Sequence, residues 1–246
     1  MVIMLSQTAN AKPPARGPVE LPDPFRPANL YRYSPALGSA GSKRWVNHQE
    51  RRSNILAAAR RLMVDSGFDG VSFRDIADAC EISVPTIYNI VGDRAEVLNQ
   101  AAVEWVQWLS VAVLQDDGGN KVLRLLQGFW DSSLDYPDYT KTAAQVQAMP
   151  ERPLNAAFHK TGTGFIAKWL NELRAQQRLR ASIDVTSLAN QLALSATAGI
   201  CSWALNPYDT TRYRRDFANG PGLMLLGAVS GQEIAVVEQA LDAILA

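Results

Sequence analysis

The stretch FRDIADACEISVPTIYNI, Phe73 to Ile90, decides how this chain folds. It reads as two short helices joined by a tight turn. Ile76 and Cys80 lie one helical turn apart and share a face of the first helix, and Ile87 and Ile90 share a face of the second. Ile82 falls between them, where it can plug the corner of a helix-turn-helix. Ala77 is small where the second helix would cross the first. The outward face of the second helix is then Val84, Pro85, Thr86, Tyr88 and Asn89, uncharged and shaped for a groove. A helical corner that only packs would show the same apolar spacing, so the flanks must decide between the two.

Upstream, Asn47 and Glu50 form a plausible capping pair for a helix running to about Ser66. Ile55, Leu56, Ala59, Leu62 and Met63 form its apolar stripe, and Gly67 is its expected stop. Ser72 is placed to cap the next helix, with Asp75 complementing the dipole. Ser83 is placed to cap the outward-facing helix, where Pro85 is tolerable because first-turn amides lack intrahelical partners. Gly92 ends that helix. Asp93 and Glu96 open a fourth, from Arg94 to about Leu114. Start signals on four consecutive helices, with glycine stops on two, favour a folded helical domain.

Beyond a break at Asp116 to Asn120, helices are expected at about 121–134, 138–148, 153–178 and 185–205, with one or two more between 211 and 245. Pro137, Pro150, Pro153, Pro207 and the run Asn219-Gly220-Pro221-Gly222 punctuate them. No alternating strand pattern appears. Residues 1–44 read as a disordered, proline-rich arm, since seven of the 13 prolines fall before residue 42 and no helical period survives among them.

Composition narrows the function. The chain has 246 residues, 24 basic and 24 acidic, so net charge neither favours nor disfavours nucleic acid. Its two cysteines, Cys80 and Cys201, argue against a disulfide framework and for a reducing compartment. No apolar run is long enough to span a membrane, and the opening MVIML is too short for a signal peptide. A cytoplasmic protein with no membrane partner is expected. His48 and His159 lack Cys or carboxylate neighbours at ligand spacing, so no metal is expected. Thr161-Gly162-Thr163-Gly164 follows no strand and lacks the ending of a phosphate loop. No nucleophile motif or paired carboxylate is present, which implies no catalytic residues, no cofactor and no enzyme.

Residues 55 to 98, ILAAARRLMVDSGFDGVSFRDIADACEISVPTIYNIVGDRAEVL, resemble the DNA-binding domain of the tetracycline-repressor (TetR) family. The likeness lies in Gly67-Phe68, Asp75-Ile76-Ala77, Ser83, Thr86-Ile87-Tyr88 and the basic Arg94 after a short turn. Glu81 departs from the pattern, standing where a turn glycine is usual, as do Val91 and Ala95, which replace an aromatic and an acid. A non-glycine residue in a left-handed turn costs roughly 1–2 kcal/mol.

The resemblance implies an all-α fold: an N-terminal three-helix helix-turn-helix DNA-binding domain over 45–109, then a C-terminal helical effector-binding and dimerisation domain over 110–246. It implies a homodimeric transcriptional regulator, most often a repressor, that binds a palindromic operator in double-stranded DNA and responds to a small-molecule effector. Between Lys43 and Arg61 six basic residues face one acid, so phosphate attraction is expected from the first helix and its approach. Lys43 and Arg44 would reach phosphate or minor groove. Arg74, Thr86, Tyr88 and Arg94 would bond phosphates. Val84, Pro85 and Asn89 would face base edges, with Asn89 able to pair with adenine.

The C-terminal aromatics Trp105, Trp108, Phe129, Trp130, Phe165, Trp169 and Trp203 are candidates to line a pocket for an apolar or aromatic effector, although plain core packing explains residues of this kind as well. Ala189, Ala193, Ala196 and Gly199 make the 185–205 helix the first candidate for the dimer seam, and burial within one chain would explain the same residues. A helical protein-interaction module that kept the fold and lost DNA binding is the alternative reading; the acidity of the second and fourth helices is its support.

Overall fold

Ser42 opens the first helix, its Oγ accepting a hydrogen bond from the Trp45 amide at 3.3 Å. The helix thus begins a turn before the expected Asn47 cap. The computed structural model describes residues 21–30, 42–114, 120–147, 153–205 and 210–245. Helix α1 (Lys43–Gly70) is interrupted at Gly67, whose φ of 71° is the expected break in helical geometry. A reciprocal capping box between Ser72 and Asp75 opens α2 (Phe73–Ala79).

The turn after α2 is a Schellman motif. The Ile82 amide donates to the Ala77 carbonyl and the Glu81 amide to the Asp78 carbonyl. Glu81 adopts the left-handed conformation, with φ of 53°, that glycine would hold without strain. The usual corner is therefore kept despite the substitution. Helix α3 (Val84–Ile90) follows. Ser83 occupies its N-cap position but makes no capping bond to the backbone; its Oγ lies 2.8 Å from the Thr86 Oγ1 instead. Asp93 caps α4 (Arg94–Leu114) by accepting from the Glu96 amide at 2.9 Å. Ile55, Leu56, Met63, Ile76, Ile87 and Leu98 are sealed in the core of this head, where Ala77 is also buried.

The body comprises α5 (Lys121–Asp135), α6 (Pro137–Gln147), α7 (Pro153–Ala175), α8 (Val185–Leu205), α9 (Thr210–Ala228) and α10 (Glu233–Leu245). Asn120 starts α5 by accepting from the Leu123 amide, and its own amide donates to Glu233 at the start of α10. Ten helices and no strand, beyond one isolated bridge between Leu179 and Val229, make the described residues all-α. None of these helices is long and apolar enough to cross a membrane.

Three expectations change. The expected break at 219–222 lies inside α9, which runs through Pro221. A Cβ at Gly222 would sit 2.5 Å from Leu241, and one at Gly220 would sit 3.1 Å from Ser195. The glycines allow α9 to approach α8 and α10 closely, and that packing outweighs the local preference for a turn. Secondly, Ala189, Ala193 and Ala196 are buried in the body's own core, and Gly199 faces Phe217. The small residues of α8 therefore serve packing within the chain.

Thirdly, residues 21–30, read from composition as part of a disordered arm, are folded onto the molecule. Pro22, Pro24 and Ala28 are buried. Phe25 lies edge-on to Tyr136 and Tyr139, each at 6.1 Å between centroids. The remaining expectations for the arm, and the predicted punctuation at 116–119, Pro150 and Pro207, lie outside the described residues.

Candidate DNA-reading face and effector cavity

Helix α3 is held by one buried side and offers the other. Ile87 is fully buried, while Tyr88 is 55% exposed and Ser83, Pro85 and Asn89 are exposed. Val84 and Thr86 are half-buried at the helix start. The Tyr88 ring stands edge-on to Phe73 at 4.7 Å and 76°. That contact restricts the ring while leaving much of the residue in solvent, which lowers the entropy lost when it meets a partner. Lys43 and Arg44 are exposed in the first turn of α1, and Arg74 is exposed in the first turn of α2. These candidate residues thus reach solvent at least in part, with one exception to the expected role.

Arg94 is that exception. Its Nε donates to the Val71 carbonyl at 2.8 Å, and its Nη2 to the carbonyls of Phe68 at 2.6 Å and Asp69 at 3.1 Å. These bonds fasten the start of α4 to the link between α1 and α2. The sequence position matched a phosphate contact, but the guanidinium is occupied in holding the backbone after Gly67.

The basic count along α1 also needs correction. Arg60 is completely buried, donating to the carbonyls of Pro24, Arg26 and Ala101 and to Glu104. Arg52 is turned to Gln100 and Glu104. Among the basic residues from Lys43 to Arg61, that leaves Lys43, Arg44, Arg51 and Arg61 exposed. Arg61 lies over the Phe25 ring at 5.8 Å. Arg51 is the added candidate for phosphate attraction; its exposure could not be told from Arg52's or Arg60's by charge alone.

In the body, a cavity of about 80 Å³ opens between α4, α5, α6, α7 and α8. Its walls are mostly apolar, with Ser132, Thr140, His159 and Thr197 among the polar groups. No Asp, Glu, Lys or Arg lines it among the described residues. Of the seven candidate aromatics, Trp105 and Phe129 form part of the wall. Trp203 stacks on Tyr213 at 5.1 Å, and Trp130 packs on the same ring at 5.3 Å. Trp169 is buried in the same core, Phe165 packs against it, and Trp108 packs against Trp105 beside the cavity. Trp130, Trp169 and Trp203 are core residues, and Phe165 and Trp108 are half-buried against the core; helical period did not tell which space they face. Tyr139, which the sequence did not single out, lines the cavity, and burial pushes its hydroxyl pKa well above the ordinary value.

Residues 55–101 match the family model for bacterial regulatory proteins of the tetR family. The HTH-type transcriptional regulator UidR of Escherichia coli (strain K12) is 29% identical over 192 residues, which are 74% of this chain and 94% of that protein. Two solved structures share the fold. Thermus thermophilus FadR, a TetR-family transcriptional repressor in complex with lauroyl-CoA, superimposes with a TM-score of 0.57 at 20% identity, over 72% of this chain and 94% of that one. CprB, a TetR-family protein from S. coelicolor A3(2), gives 0.51 at 17% identity, over 80% and 98%.

Residues 55–101 form a DNA-binding head of the tetR family. The family is one of regulators and not of enzymes. Helix α4 reaches from this head to the cavity. Glu104 accepts a bond from Arg60 of α1, and the next residue, Trp105, is a wall of the cavity.

Proposed function

We infer that the protein is a TetR-family transcriptional regulator working as a homodimeric repressor: two copies of α3 read a palindromic operator, and a small, largely apolar effector in the cavity releases it. The adjacency of Glu104 and Trp105 carries this reading. A displacement of α4 at the cavity wall moves the residue that anchors α1, so occupancy and head position are linked by one rigid helix. The exposed Tyr88 and Asn89 supply the contact surface for DNA. Lys43, Arg44, Arg51 and Arg74 supply its charge, and Thr86 adds a hydroxyl at the first turn of α3.

Pairing of two copies is supported by the side of α8 and α9 left uncovered in one chain. These helices meet where Gly220 faces Ser195, and the neighbouring Leu194 and Leu223 are 50% and 68% exposed. Large apolar side chains at that level of exposure favour an intersubunit seam. The work is done in the cytoplasm, where the operator lies.

Fluorescence anisotropy on duplex DNA from beside its own reading frame tests the reading. Binding should show a steep fall with salt and competition by an inverted repeat. Equal affinity for unrelated duplexes at every salt concentration would overturn it.

A further inference from the structure

Residues 21–30 cross the joint between head and body, touching both sides. On the head, Arg60 of α1 donates to the carbonyls of Pro24 and Arg26, and the Asn29 amide donates to Ser53 Oγ at 3.2 Å. The Arg61 guanidinium covers one side of Phe25. On the body, that ring stands against Tyr136 and Tyr139, at the end of α5 and the start of α6. Pro22 and Pro24 are buried, so this segment is seated and not merely draped. An arginine at the centre of a fold normally finds carboxylates or carbonyls of its own core; here two of its partners are supplied by a strand of chain preceding the head.

We propose that residues 21–30 are a latch that fixes the angle of the DNA-binding head on the body, and through it the half-site spacing that a dimer accepts. This inference rests on the reading of the chain as a DNA-binding dimer. A head held at one angle binds the matching spacing without ordering anything further. A head that can rock loses freedom on binding, so affinity at the matched spacing falls. The same rocking lets it reach spacings that the latched head refuses. Phe25 is the residue to change, because it joins Arg61 to Tyr136 and Tyr139 and lies outside the reading face and the cavity wall.

The experiment compares the full chain with Phe25→Ala and Phe25→Leu. Anisotropy titrations use the matched inverted repeat and duplexes with one base pair added to or removed from its centre. Phe25→Ala should weaken binding to the matched spacing about tenfold while narrowing its preference over the altered spacings. Phe25→Leu, which refills the space, should recover most of both effects. Equal losses on all three duplexes, or no loss on any, would overturn the latch. Hydrogen exchange on the same proteins without DNA separates the two readings. Phe25→Ala should speed exchange about tenfold in α6 and in the middle of α1, with α3 unchanged. Unchanged exchange in α6 overturns the latch alone, whereas faster exchange in a chain that binds no DNA overturns the proposed DNA-binding action, and with it the effect on spacing, while the fastening of head to body by Phe25 stands.

Discussion

Arg60 donates to Glu104 at 2.9 Å with both side chains withdrawn from solvent, and this pair ties α1 to α4. Glu104 also accepts from Ser53 at 3.1 Å, so both carboxylate oxygens are bonded. Breaking such a pair leaves a buried charge without its partner, at a cost of about 3–5 kcal/mol. Glu104→Ala should destabilise the protein by that amount in urea unfolding. Replacing both residues with leucine should recover only part of the loss, because the carbonyls of Pro24, Arg26 and Ala101 would lose their donor.

Tyr88 and Arg94 separate recognition from folding. Tyr88→Ala removes a ring that is more than half in solvent. Operator binding should be lost, with the melting temperature changed by no more than a degree or two. Arg94→Ala should do the reverse first, lowering stability by about 1–3 kcal/mol because three backbone carbonyls lose a charged donor. Paired thermal melts and anisotropy titrations distinguish the two patterns. Intact operator binding by Tyr88→Ala would remove that residue from the reading face.

Alkaline pH should weaken the fold through Tyr139. Burial, opposed by Arg60 and reinforced by Glu104, raises its hydroxyl pKa above the ordinary value of about 10. The folded state therefore holds this proton more tightly than the unfolded chain does. The resulting stability is complete below the ordinary value and declines as pH rises above it. Melting curves from pH 8 to 11 should show a fall that is shallower in Tyr139→Phe. Parallel curves for the two proteins would show that the hydroxyl has no such role.

Leu223→Glu should disrupt pairing of two copies. The residue is 68% exposed in the single chain, so a carboxylate there meets water in the monomer and an apolar neighbour in the proposed dimer. Sedimentation velocity should shift from dimer to monomer while the helical circular dichroism signal stays the same. A dimer that persists would place the seam elsewhere.

Much of the head is legible in the sequence alone. The spacing of Ile76, Ile82, Ile87 and Ile90 placed the corner, and the Ser72 and Asp93 caps are formed. Such features are local: a helical period and a capping hydroxyl act over a few residues, so adjacent letters suffice to specify them. Exposure of Tyr88 and Asn89 followed from the same periodicity, because burial of Ile87 turns its neighbours outward.

Tertiary structure decided what contacts between distant residues decide. Charge could not tell that Arg60 is sealed against Glu104, 44 positions away, while Arg61 beside it is exposed. Nor could composition tell that proline-rich residues 21–30 would find a seat, since the surface that receives Phe25 is built by Tyr136 and Tyr139 from another part of the chain. Glycines at 220 and 222 looked like a turn until α8 and α10 were packed against them. For the glycines a local preference of about 1 kcal/mol per residue met long-range contacts, and the contacts prevailed; at Arg60 and at residues 21–30 the deciding partners lie far along the chain, where no local signal reaches.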